Sequence, residues 1–94
     1  MPAYWIAHVT VTDPEAYKGY QSLAPAAFAR FGARFLARGG QSEVLEGPEA
    51  ARHVVIEFPD LAAARACYHS DEYRAARAAR AGAAEVAVVI VDGL

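Results

Sequence analysis

Two apolar runs, Val54-Val55-Ile56 and Val86-Ala87-Val88-Val89-Ile90-Val91, show no alternation of apolar and polar residues. A strand turns successive side chains to opposite faces of its sheet, so each run is apolar on both. Residues 4–11 behave alike: Trp5, Ala7, Val9 and Val11 fall on one face, Tyr4, Ile6, His8 and Thr10 on the other. A chain of 94 residues therefore has two sheet faces to cover, and helices enough for one.

The first helix begins at Thr12-Asp13-Pro14-Glu15. Asp13 can accept the first unpaired N–H bonds, Pro14 suits the first helical position, and Glu15 favours the positive end of the dipole. Tyr17, Tyr20, Ala24, Ala27 or Phe28, and Phe31 recur at helical spacing and predict the buried stripe. Pro25 removes an N–H from the ladder and predicts a bend near residues 21–24, and Gly32 is the stop. Residues 33–46 read as a second strand with a bulge or bend at Gly39-Gly40. The third strand is residues 53–58. Asp60 caps an Ala/Arg helix that is interrupted at His69-Ser70, where Ser70 caps a fresh segment ending at Gly82. Leu61, Ala64 and Tyr68 mark its buried side. Residues 85–92 form the fourth strand.

The order β-α-β-β-α-β predicts a ferredoxin-like α+β fold, with one four-stranded antiparallel sheet in a single domain over residues 1–94. The economical cover for the second sheet face is another copy of the chain, so a homodimer is expected, sheet against sheet.

Net charge is −2, which gives no basic field for nucleic acid. The one cysteine, Cys67, allows no internal disulfide, and no Cys/His spacing predicts a metal. No apolar run is long enough to span a membrane, and the N-terminus lacks the pattern of a signal peptide, so a cytoplasmic setting is expected. No cofactor is predicted.

Asp13-Pro14-Glu15-Ala16-Tyr17 with Tyr20, Arg34-Phe35-Leu36-Ala37-Arg38-Gly39-Gly40, Leu45-Glu46-Gly47, Ile56-Glu57-Phe58-Pro59, and Tyr68-His69-Ser70 with Tyr73 together resemble the "domain of unknown function 1330" family. The resemblance covers essentially the whole chain. It implies the dimeric α/β-barrel superfamily, whose protomers are ferredoxin-like. That superfamily includes cofactor-free quinone-forming monooxygenases, muconolactone isomerases and haem-handling enzymes. No particular reaction is implied. Cys67 stands where the family often has tryptophan, Ala33 where it often has glycine, and Asp71 where proline is common. The first departure reshapes any pocket near Tyr68.

Glu57 is the sharpest candidate for chemistry, because a carboxylate in a central apolar strand is costly to bury unpaired. It is either a proton-moving group or half of a structural ion pair with Arg34 or Arg38. In a regular strand those two arginines share a face with Leu36, and either could hold an anionic ligand. Tyr20 or Tyr68 could add a hydrogen bond to Glu57. His8 is either a general base or a hydrogen-bonded core histidine. Tyr17, Tyr20, Tyr68 and Tyr73 bring hydroxyls into an apolar interior, as a polar lining or as ordinary core aromatics. Cys67 reads as a small inert hydrophobe. Arg74, Arg77 and Arg80 read as a solvated helix face or, less simply, an anion clamp.

Three functions are open on this basis. The first is a metal-free enzyme, monooxygenase-like or isomerase-like, acting on a small aromatic or carbonyl compound. Its proton would move through Glu57 or His8, with Tyr20, Arg34, Arg38, Tyr68 and Tyr73 positioning the substrate. The second is a binding or sensing module without chemistry. The third is haem binding, with His8 or His69 as axial ligand.

Overall fold

A computed structural model describes residues 1–94. The strands are β1 (Ala3–Val11), β2 (Arg34–Arg38), β3 (Arg52–Phe58) and β4 (Ala84–Asp92). The helices are α1 (Pro14–Arg30), α2 (Leu61–His69) and α3 (Asp71–Ala79). The sheet order is β2-β3-β1-β4, with every neighbouring pair antiparallel. This is the expected ferredoxin-like sheet, with the second helical stretch divided in two. No helix is long and apolar enough to cross a membrane.

Local chemistry explains where the helices start. The Asp13 carboxylate accepts the Ala16 N–H at 3.2 Å, and Asp60 accepts the Ala63 N–H at 2.7 Å. Ser70 does both jobs at the break between α2 and α3. Its hydroxyl donates to the Cys67 carbonyl at 2.7 Å and accepts the Tyr73 N–H at 3.1 Å, closing one helix and opening the next. α1 runs uninterrupted through Pro25. Its buried residues are Tyr17, Ala24, Ala27 and Phe28, while α2 buries Ala64 and Cys67, with Leu61 and Tyr68 only half-buried.

The second strand departs from expectation in two ways. It ends at Arg38, because Gly39 takes a left-handed conformation (φ 68°) and the chain leaves the sheet in a long loop. Its irregularity lies inside the strand instead. Phe35 pairs with Ile56 and Ala37 with Val55, so Leu36 is the extra residue of a bulge. A bulge reverses the facing of everything beyond it. Arg34 pairs with Glu57 and Arg38 with Val54, which places the two arginines on opposite sheet faces, not on one.

The face toward the helices is organised in rows. Phe35, Ile56, Trp5 and Ile90 form one, Arg38, Val54, Ala7 and Val88 the next, and Arg52, Val9 and Val86 the third. Trp5 is the centre of the core, 1 % exposed. Phe28 and Tyr73 meet its ring edge-on, with centroids at 5.2 and 5.0 Å, and Phe58 stacks at 5.9 Å. On the outer face the rows are Arg34, Glu57, Tyr4 and Val91; Ala37, Val55, Ile6 and Val89; and His53, His8 and Ala87. None of these outer residues is buried.

Candidate functional site

A cavity of about 230 Å³ lies between the inner sheet face and helices α1 and α3. Its buried floor includes Trp5, Ala7, Ala24, Phe28, Ile56 and Tyr73. The exposed lining residues Gln21, Pro25 and Arg38 mark its rim. Alanine at positions 7 and 24 leaves the space that a larger side chain would fill. An apolar cavity of about 150 Å³ is enough to take benzene, so this one accommodates a substituted single ring.

The polar contribution comes from phenols and guanidiniums. The Tyr20 and Tyr73 hydroxyls are hydrogen-bonded at 2.7 Å. Burial holds the Tyr20 phenol well above its ordinary range, and the neighbouring Tyr73 and Tyr17 add to the effect. Burial also raises Tyr73, opposed by its Tyr20 hydrogen bond and the Arg80 charge. Tyr17 is raised by burial against the pull of Arg52 and Arg80. All three are neutral near pH 7 and can donate to a carbonyl or oxyanion without acting as bases. Arg38, Arg52 and Arg80, with the Gln21 amide at the rim, complete the polar lining. Arg38 stacks on Phe35 at 4.5 Å and Arg80 on Tyr20 at 5.2 Å. No Asp, Glu, His or Cys lines the cavity.

The candidates named from sequence divide between three places. Tyr20, Tyr73 and Arg38 meet at the cavity. Tyr68 packs against Trp5 and Tyr73, with ring centroids 5.7 and 5.6 Å away, and does not line the cavity. It lines a separate depression beside β4 with Arg65, His69, Arg77 and Arg80, and carries the Arg77 guanidinium over its ring at 4.4 Å. Arg34, Glu57 and His8 lie on the outer face. Glu57 pairs with Arg34 at 3.6 Å, and the His8 and His53 Nδ1 atoms are 2.8 Å apart. The sheet separates Glu57 from Tyr20 and Tyr68, so the expected hydrogen bond does not form. Neither His8 nor His69 reaches the cavity. Cys67 is fully buried, and its thiol is pushed up to about 12 by burial and by the Glu72 charge, so it is protonated near neutral pH.

Arg52, Arg80, Ala7 and Ala24 line the cavity; sequence reasoning named Arg80 only in an Arg74/Arg77/Arg80 row and Ala7 and Ala24 only as face or stripe residues, and placed none of the four at the site. For Arg52 the signal was strand parity, since it falls on the face of Val54 and Ile56. For Ala7 and Ala24 it was size, a small residue on the same face as Trp5 in the strand and on the same stripe as Tyr17, Tyr20 and Phe28 in the helix.

No curated protein matches the chain. Among solved structures, RPA0582, a protein of unknown function from Rhodopseudomonas palustris, is 22 % identical with a TM-score of 0.78, over 99 % of this chain and 82 % of that one. A dimeric protein of unknown function with a ferredoxin-like fold from Bacteroides fragilis is 15 % identical with a TM-score of 0.64, over 98 % and 96 %. SnoaB, a cofactor-independent oxygenase from Streptomyces nogalater, is 14 % identical with a TM-score of 0.63, over 99 % and 93 %. These likenesses establish the fold. The match to a family model over residues 2–94 goes further: the chain belongs to the DUF1330 family, a domain of unknown function.

Proposed function

We propose that the protein binds a small aromatic or carbonyl compound in the cavity between sheet and helices, as a homodimer joined through its outer sheet faces. The observation that carries this reading is a space of about 230 Å³ walled by Trp5 and Phe28, with the Tyr20–Tyr73 hydroxyl pair as its polar handle. Apolar walls take the ring, and the paired hydroxyls orient an oxygen. The outer face, where Val89 is 52 % and Val91 45 % exposed, is the surface a second copy would cover.

Binding without chemistry is the function the geometry supports best. The cavity offers no side chain that accepts a proton near neutral pH. An oxygenase of the kind SnoaB represents is the second reading. The aromatic walls favour it, because apolar walls limit the water around a reactive intermediate. In that case an acidic substrate would lose its own proton, and the tyrosines would only position it. A catalytic role for Glu57 or His8 requires a substrate on the outer face.

The only tryptophan, Trp5, gives one indole N–H resonance and forms part of the cavity wall. Titration with acetophenone should shift that resonance to saturation, and Ala24→Leu, which fills the cavity, should suppress the shift while the protein stays folded. An unmoved indole signal at saturating acetophenone and catechol would remove this reading.

A further inference from the structure

We propose that the cavity ligand is an anion: a small aromatic compound bearing a carboxylate, its acid group held by Arg38, Arg52 and Arg80. This rests on the cavity being a small-molecule site and adds the charge of what it takes.

Three guanidiniums from three separate parts of the chain line one cavity. The bulge at Leu36 brings Arg38 to the inner face opposite Val54, and Arg52 precedes Val54 by two residues on the same face. The two are diagonal neighbours across a strand pair, a separation of about 7–8 Å between backbones. Arg80 arrives from the end of α3, and its charge acts with that of Arg52 on the Tyr17 hydroxyl. Room is kept for this arrangement: a side chain on Gly39 would begin 3.1 Å from the Arg52 guanidinium carbon.

None of the three has a carboxylate partner. The ion pairs of the chain are Lys18–Glu15, Arg30–Glu72, Arg34–Glu57 and Arg74–Asp71. Carboxylates are not scarce, since the chain has 11 acidic residues against 9 basic. They are placed elsewhere. Arg80 also has its Nε sealed from solvent with no hydrogen-bond partner. A buried donor left unused is costly, and so are like charges gathered against an apolar wall. One carboxylate offsets both. Arg38 stacks on Phe35 and Arg80 on Tyr20, which occupies one face of each guanidinium; Arg80 also reaches the Tyr73 hydroxyl, and the remaining N–H groups are the edges a planar acid would meet.

Calorimetry with benzoate and its neutral isostere benzamide tests the proposal on the unmodified protein. Benzoate should bind at least about tenfold tighter, as charge-assisted bidentate contacts allow, and the preference should shrink with added salt. Arg52→Gln and Arg80→Gln should each lower benzoate affinity toward that of benzamide, Arg80→Lys should restore part of it, and Arg34→Gln on the outer face should leave it unchanged. Equal binding of the two probes would overturn the charge assignment and leave the cavity as a neutral site. Binding of neither would overturn the cavity reading and this one with it. Acetate binding as well as benzoate would put the anion on surface arginines, and a preference that survives the double Arg52→Gln, Arg80→Gln variant would remove these residues from the role. Either result contradicts the proposal.

Discussion

The inner and outer faces of the sheet are made by the same strands, often by adjacent residues, and they do different things. Inner positions hold Trp5, Ala7, Ile56 and Val88, packed under helices around a cavity. Outer positions hold Ile6, His8, Val55 and Val89, all accessible, with an Arg34–Glu57 pair at one end and the His8–His53 contact nearby. Apolar content barely distinguishes the two. What distinguishes them is where charge is satisfied. Outer charges find each other across strands, whereas no acid meets the inner arginines, of which Arg38 and Arg80 lie over aromatic rings. The outer face balances its charge across strands, and the inner face leaves Arg38, Arg52 and Arg80 without a carboxylate beside an apolar cavity, the place where the proposed acid would sit.

Substitutions on neighbouring residues separate the faces most sharply. Trp5→Ala on the inner face should cost about 3–5 kcal/mol, as for other large buried aromatics, and chemical denaturation should show the loss at any protein concentration. Alkali should act on the inner face to a similar extent. Cys67 has its thiol raised from 9.0 to about 12, and Tyr17, Tyr20 and Tyr73 are raised too. The folded state then keeps protons the unfolded chain has given up, so stability is full below about pH 9 and falls as pH rises, by about 1.4 kcal/mol per unit for each such group. Denaturation midpoints between pH 8 and 12 check this, and Cys67→Ala should make the decline less steep.

Val89→Asp on the outer face should leave the fold intact, as near-UV circular dichroism would show, and weaken self-association by about tenfold or more, which light scattering reads. If the variant and the parent have the same mass at every concentration, the outer face is not the joint. Tyr73→Phe should cost about 1 kcal/mol, the ordinary net worth of one hydrogen bond. Glu57→Gln should cost less than about 1 kcal/mol, because the Arg34 side chain that meets it is 72 % exposed. A larger loss for Glu57→Gln than for Tyr73→Phe in thermal melts would reverse the contrast between the faces.

Much of the fold could be read locally. Asp13, Asp60 and Ser70 were visible as caps because a cap depends on the next few residues only. The facing of β1 and β3 followed from parity, including Glu57 opposite Val54, Ile56 and Phe58. The bulge was not visible. Leu36 carries no glycine or proline, and its extra residue is defined only by pairing with β3, so Arg38 was expected on the wrong face. Parity also separates Glu57 from Ile56 without saying which side the helices take, and the cavity follows the helices. Arg80 looked like one member of an Arg row on a helix face. Its packing over Tyr20 brings together residues from distant parts of the chain, and spacing cannot show that.

The division of labour between faces is tested most directly by nuclear Overhauser contacts from a bound aromatic probe to methyl groups of alternating strand residues. With saturating acetophenone, ring protons should contact the methyls of Val54, Ile56 and Val88, which line the cavity, and none of those of Ile6, Val55 and Val89 one position away. Contacts to Ile6, Val55 and Val89 instead would place the ligand on the outer face and contradict the account.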